Sequence, residues 1–350
     1  MIKILHYLKG LELGGTEKSV ELFAKHLSKD EFDVRVAFDC TKAQFRLPNF
    51  KSNQLLPYST QQEFLSIEKS FKPDIIHVHR AGHVEFPSPW QVSAPKFVET
   101  NVFGIVNNDP QIDKTLFMSE WLLNYARNQY NTFWQMYPSR FDFVNNPVEL
   151  PTYREFYDLK GDNPIILGRS GRPDNGVYCQ LSVKAARILL DRGYNILFLV
   201  LACPPSMKKD LEKLKIPHLC LEPTVDSDLL SKFYNTVDIY CESRPDGHTC
   251  GNVILESMIH KVPVVTHIAV PASLNMGVFQ AQSYWVQNFS TGFCTNANEY
   301  DYAQHIEILI NDKVLYKKCA INAYNKVLRE ASINVSCNKL QNIYRQVLNG

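Results

Sequence analysis

Apolar residues in this chain fall into short unbroken runs, and between the runs they recur at helical spacing. Residues 2–8, Ile-Lys-Ile-Leu-His-Tyr-Leu, form the first run. In 16–27, Val20, Phe23, Ala24 and Leu27 share one face of a helix. Further runs at 34–38, 74–79, 96–99, 115–118 and 141–144 predict more strands. Apolar runs of this length between helices indicate parallel sheet covered on both faces.

The pattern breaks at 146–164, a polar stretch with prolines at both ends that reads as a linker. It then restarts. Strands are predicted at 165–167, 196–200, 218–221, 237–241 and 262–266, with helices at 178–190, 207–214, 227–235 and 251–259. Residues 300–347 read as helical, in several pieces. The expected fold class is α/β, with two Rossmann-like domains facing across a cleft and C-terminal helices. The expected division is 1–155 for a first domain, 160–330 for a second, and 331–350 for a helix packing back on the first domain.

Composition narrows the partners. A length of 350 residues suits two domains, and a hydrophobic content of 45% supports real cores. The formal net charge of +1 offers no nucleic-acid tail. The nine cysteines are scattered without a Cys-x-x-Cys pair and read as thiols in a reducing compartment. The polar glycine loop soon after the first run argues for a buried strand there rather than a signal peptide. No run approaches the ~20 apolar residues needed to cross a bilayer.

Candidate chemistry lies just after strands, where open parallel sheets bind ligands. Gly14, Gly15 and Thr16 follow the first strand and open a helix. The loop either faces a phosphate or is a tight turn with Thr16 capping the helix. Its spacing is neither Gly-x-Gly-x-x-Gly nor a Gly-Lys-Ser/Thr loop, which argues against a dinucleotide oxidoreductase and a P-loop ATPase. His77 and His79 point the same way from one strand, with Arg80 and His83 directly after. They line a ligand site or are structural; a metal reading needs more ligands at credible spacing. Thr100 and Asn101 either meet sugar hydroxyls or stabilise their own turn.

In the second half, Arg169 and Arg172 follow a strand three residues apart, a spacing that suits a diphosphate or else surface salt bridges. The segment 242–256 is a strand exit, a glycine loop and a helix start. Gly251, Asn252 and Val253 present N–H groups there to an anion. Glu256 sits between apolar neighbours, a costly place for a carboxylate unless it is paired or bonds a ligand such as a nucleotide ribose.

Together these residues resemble the retaining glycosyltransferases of the two-domain GT-B fold, family 4. Gly14-Gly15-Thr16-Glu17 resembles that family's first glycine loop, and Pro73-Asp74-Ile75-Ile76-His77-Val78-His79 its Pro-Asp-x-x-His-x-His strand. Gly168-Arg169 matches the opening of its phosphate motif, Gly251–Glu256 the second half of its nucleotide motif, and Val262-Pro263-Val264-Val265 the strand after it. The chain departs at three places. His248 stands where the motif has a glutamate, with Asp246 offering an acid from a shifted loop. The phosphate-motif lysine falls near Asn175-Gly176, leaving Arg172 to replace its charge. The first-domain histidine is missing at 100–103, a place that His83 would fill.

The resemblance implies sugar transfer from a nucleotide-diphosphate donor, such as a UDP- or GDP-sugar, to an acceptor hydroxyl with retention and without metal or other cofactor. It implies His83, Arg169, Arg172 and His248 as catalytic residues. Gly14, Gly15, Thr16, Asp246, Gly251, Asn252, Val253 and Glu256 would join Arg169 on the donor, and His79, Arg80 and Asn101 would lie on the acceptor side. The acceptor would be a glycan, a lipid-linked sugar or a small molecule. The expected location is cytoplasmic, with peripheral membrane contact if the acceptor is a lipid. A nucleotide-sugar epimerase and a non-catalytic nucleotide-binding subunit are the competing readings of the same scaffold.

Overall fold

A computed structural model describes residues 1–80, 85–159, 161, 163–270 and 278–350. The chain divides into two units, Met1–Pro147 with Ala331–Gly350, and Val148–Glu330.

The first unit runs β1 (Ile2–Leu8), α1 (Gly15–His26), β2 (Phe32–Asp39), β3 (Leu55–Tyr58), α2 (Gln61–Phe71), β4 (Ile75–Arg80), β5 (Lys96–Asn101), β6 (Lys114–Phe117), α3 (Glu120–Gln129), α4 (Asn131–Met136) and β7 (Phe141–Phe143). Its strands order as β3-β2-β1-β4-β5-β6-β7, every pair parallel. The second unit runs β8 (Ile165–Ser170), α5 (Leu181–Asp191), β9 (Ile196–Leu201), α6 (Pro205–Lys213), β10 (His218–Leu221), α7 (Ser227–Thr236), β11 (Ile239–Cys241), α8 (Asn252–Ile259), β12 (Val264–His267), α9 (Ala281–Trp285), β13 (Gly292–Thr295), α10 (Glu299–Asn311) and α11 (Lys313–Glu330). Its strands order as β10-β9-β8-β11-β12-β13, again all parallel. The last helix, α12 (Ile333–Asn349), belongs to the first unit, where Leu340, Ile343 and Tyr344 pack into one core with Ile4, Val20 and Phe23.

The continuous apolar runs became central strands for the expected reason: helices cover both faces, and all six residues of β4 are buried. The sequence pattern missed β3, α2, α3, α4, α9 and β13. Strand β3 is a half-exposed edge, Leu-Leu-Pro-Tyr, where Pro57 removes a ladder donor. Helix α2 carries Phe64, Ile67 and Phe71 at helical spacing, but of its residues only Phe64 and the polar Glu68 are fully buried. A Thr60 cap marks its start, the hydroxyl accepting from Glu63 N at 3.2 Å.

In both sheets the order reverses beside the first strand, between β1 and β4 and between β8 and β11. Ligands of open α/β sheets bind beyond the strand ends at such switch points. The candidate residues sit at the ends of these strands and of β5, in the loops that follow, and in the helices α1 and α8 that those loops open.

Candidate functional site

In the second unit, β8 ends in Gly168-Arg169-Ser170. Gly168 is there for packing, since a Cβ would lie 2.2 Å from a Val237 methyl carbon. Arg169 is 1% exposed. Its Nη2 donates to Val177 O at 2.7 Å and its guanidinium lies 5.9 Å from the Tyr178 ring centroid, while Nε and Nη1 have no hydrogen-bond partner. A buried cation with unused donors is costly unless an anion completes it. Arg172 lies exposed on the loop that follows.

The loop after β11 supplies the other charges. Arg244 grips Asp246 with a two-pronged bond, Nε to Oδ1 at 2.6 Å and Nη2 to Oδ2 at 2.8 Å. The expected donor-side acid is therefore engaged inside its own loop. Gly247, at φ +72°, allows the turn, because a Cβ would sit 1.9 Å from Phe279 O. His248 donates its N–H to Gln282 Oε1 at 3.0 Å and sets Nε2 3.4 Å from Glu242 Oε1. Burial alone would raise the Glu242 carboxyl, but His248, Arg169 and Arg244 outweigh it and hold the group below its ordinary range.

Gly251, at φ +86°, opens α8, whose first turn holds Asn252 and Val253. A helix start of this kind favours an anion. One turn in, Glu256 Oε2 accepts from Tyr234 OH at 2.9 Å. The second unit thus gathers a buried arginine, a helix N-terminus and a held carboxylate at one switch point. Those are the groups that a nucleoside diphosphate needs.

The first unit is built differently. Gly14 is the N-cap of α1, with no side-chain cap, and the Glu17 carboxylate lies against it. Thr16 does not cap the helix; it lines a pocket of about 310 Å³, counting its open mouth, with Ser19, His77, His79, Thr100 and Asn146. The acid beside this glycine turn opposes a phosphate there, so of the two glycine loops that of α8 is the better anion site.

Three imidazoles meet behind that pocket. His6 pairs in register with His77, and His79 lies two residues on, so all three share a face. His6 Nδ1 is 2.9 Å from His79 Nε2. His77 Nδ1 is 2.6 Å from Tyr344 OH, and its Nε2 is 2.8 Å from Thr100 Oγ1. Burial pushes all three rings well below the usual imidazole range, His6 to about 3, so they stand neutral. Their ligating atoms lie within 4.8 Å of one another, the one such group among the described residues. Both nitrogens of His77 are already engaged, by Tyr344 and Thr100, and its ring stacks on that of His79 at 4.3 Å and 26°.

Two expected acceptor-side residues turn inward. Arg80 donates Nε to Glu99 Oε2 at 3.0 Å and Nη1 to the Glu85 and Pro87 carbonyls, and is 7% exposed. Asn101 is fully buried; it donates to Ile105 O and accepts from the Phe103 and Ile105 N–H groups at 3.1 Å. Both hold their own loops, as the turn reading of Asn101 allowed. His83 lies outside the described residues.

Known proteins share this architecture. A glycosyltransferase from Rickettsia africae ESF-5 superposes with a TM-score of 0.74 at 17% identity, covering 99% of this chain and 98% of that one. Anabaena Alr3699/HepE, in complex with UDP and glucose, gives 0.73 at 12% identity over 99% and 100%. The chain has the GT-B fold. A curated relative, the capsular polysaccharide biosynthesis glycosyltransferase CapM of Staphylococcus aureus, is 26% identical over 218 residues, 60% of this chain and 52% of its own length. The match thus spans about half of that relative. No family model matches the chain.

Several residues of these GT-B strand ends escaped the sequence reading. His6 was one apolar-run residue among others until β1 paired with β4. Tyr344 reaches the same cluster from 338 positions away. Tyr234 and Tyr240 lie inside predicted elements, and only the sheet order brings them to Ser170 and Glu256.

Proposed function

We propose that this chain is a retaining glycosyltransferase of the family 4 type, moving a sugar from a nucleotide-diphosphate donor to an acceptor hydroxyl. Arg169 carries the reading: a fully buried guanidinium with two unused donor nitrogens beside a helix N-terminus fits a diphosphate. In this account Glu256 holds the ribose, and Gly251, Asn252 and Val253 add N–H groups to the phosphates. His248 lies toward the transferred sugar, and Arg172 meets the diphosphate from the exposed loop. The GT-B structure that holds UDP and glucose supports a nucleotide sugar as donor.

The bond between the anomeric carbon and the phosphate oxygen breaks while the acceptor oxygen bonds to the same face of that carbon. The acceptor proton passes to the departing phosphate oxygen. Charge growing on the diphosphate is met by Arg169 and the helix start, so the chain's own residues supply the stabilisation for which a metal ion would otherwise serve. The first unit, with Thr16, His79 and Thr100 at its pocket, offers the acceptor neutral donors and acceptors. The acceptor class is a glycan, a lipid-linked sugar or a small molecule. All nine cysteines are free thiols, which suits a cytoplasmic setting, and among the described residues no helix is long and apolar enough to cross a membrane.

Incubation with UDP- and GDP-sugars and a panel of sugar acceptors, in the presence of a chelator, tests the proposal. The expected result is diphosphate release coupled to a product whose anomeric signal keeps the donor's configuration. Inversion would overturn the retaining assignment. A free sugar isomer without transfer would point to an epimerase instead.

A further inference from the structure

Ser170, the residue after Arg169, joins two buried tyrosines. Its Oγ lies 2.8 Å from Tyr234 OH and 3.0 Å from Tyr240 OH. Tyr240 OH is also 3.2 Å from Glu242 Oε2, and Tyr234 OH is 2.9 Å from Glu256 Oε2. Each carboxylate beside the site is therefore met by one tyrosine hydroxyl, and one serine bridges the two.

The hydrogens of this network have a preferred order. Both tyrosines are fully buried, and burial with the neighbouring carboxylates pushes their hydroxyls well above the ordinary range. Both stay protonated, and each has one hydrogen to give. Tyr234 faces Glu256, Ser170 Oγ and, at 3.4 Å, Val253 O. The carboxylate is the strongest of these acceptors, so Tyr234 donates to Glu256 and the serine hydroxyl turns to donate to a tyrosine oxygen.

A glutamate side chain has three rotatable bonds, and a hydrogen bond at its carboxylate narrows them. Here α7 supplies a rigid ring, stacked on His260 at 5.1 Å, whose hydroxyl fixes one carboxylate oxygen. We infer that Tyr234 is a positioning residue that sets Glu256 for the ribose hydroxyls of the nucleotide, making the site selective for ribonucleotides over deoxyribonucleotides. The inference rests on the donor reading above. It adds the sugar of the nucleotide as the selected feature, and a chain of Ser170 and Tyr234 that ties this selection to the strand carrying Arg169.

Calorimetric titration of the full chain with UDP and GDP, and with the 2′-deoxy and 3′-deoxy form of each, tests it. Wild type is expected to favour one ribonucleotide over its deoxy forms by about tenfold or more. Tyr234→Phe keeps the buried ring and removes only the hydroxyl. It should weaken the ribonucleotide by about tenfold, leave the deoxy forms nearly unchanged, and collapse the ratio toward that of Glu256→Ala. Ser170→Ala, which does not touch Glu256, should lower the ratio by a smaller factor and covers the case of a Tyr234 variant that fails to fold. A full ratio in Tyr234→Phe overturns the inference and leaves the donor reading standing. Equal weakening of ribo and deoxy forms overturns it too, because it marks general support of the fold. A wild type that binds ribo and deoxy forms alike removes the ribose role of Glu256, and the inference with it.

Discussion

The two sheets share one design, yet their switch points hold opposite chemistry. At the ends of β1 and β4, three neutral imidazoles, a tyrosine and a threonine bond one another around a small pocket. At the ends of β8 and β11, a buried arginine with unused donors stands among two carboxylates and a second arginine. The same βαβ frame thus presents hydroxyl-like partners in one unit and charge in the other. The topology fixes where a ligand can sit, and the side chains at four strand ends decide which ligand it is.

The largest expected break of this contrast is Arg169→Ala. Diphosphate release should fall by about a hundredfold or more, as it does when a transition-state donor is lost. The melting temperature should move by only a few degrees, because an incompletely bonded buried charge leaves with the side chain. Turnover together with a thermal melt decides it: a collapse of the melt instead of the rate would make the arginine structural. On the other side, Thr16→Ala should leave nucleotide affinity unchanged in a titration, since it touches only the neutral pocket.

A smaller effect is expected from Tyr344→Phe. It removes the hydroxyl 2.6 Å from His77 Nδ1 and leaves that buried nitrogen unmet, at a cost of about 1–2 kcal/mol. Denaturant unfolding should show this loss while nucleotide binding stays intact. A loss of binding equal to that of Arg169→Ala would dissolve the distinction between the regions.

The last effect is absent at neutral pH and grows only in acid. Unfolded, His6 takes up a proton below about pH 6.5; folded, only near pH 3. Unfolding therefore binds protons in that window, and stability drops as the pH falls through it, being fully present above 6.5. His77 and His79 act in the same direction. In His6→Gln, stability against pH between 6.5 and 3 should have a slope shallower by up to about one proton. Unchanged slopes would mean that the ring takes up its proton alike in the folded and the unfolded chain.

Much of this was readable before any coordinates. Long apolar runs disclosed the central strands, because burial on both faces leaves no polar alternation to mislead. Edge strand β3 stayed hidden because exposure and Pro57 blur its apolar signal, and helix α2 went unread although Phe64, Ile67 and Phe71 recur there at helical spacing. In the site, Glu256 stood out as a carboxylate where charge is costly, and Arg169 as a guanidinium placed directly after a strand. Arg80, expected on the acceptor side beside His79, turns inward instead: its partner Glu99 comes from the neighbouring strand β5, which local spacing does not reveal. The tyrosine bridge and the His6–His77–Tyr344 cluster needed the strand order and the return of α12, both long-range facts.

The central claim is that the second unit binds a nucleoside diphosphate through its own residues. Its most direct test is a calorimetric titration of the chain with UDP, GDP and ADP, each with and without a chelator. The account predicts saturable binding of one of them, unaffected by the chelator. Absence of binding across the three, or binding only with added metal ion, would contradict it.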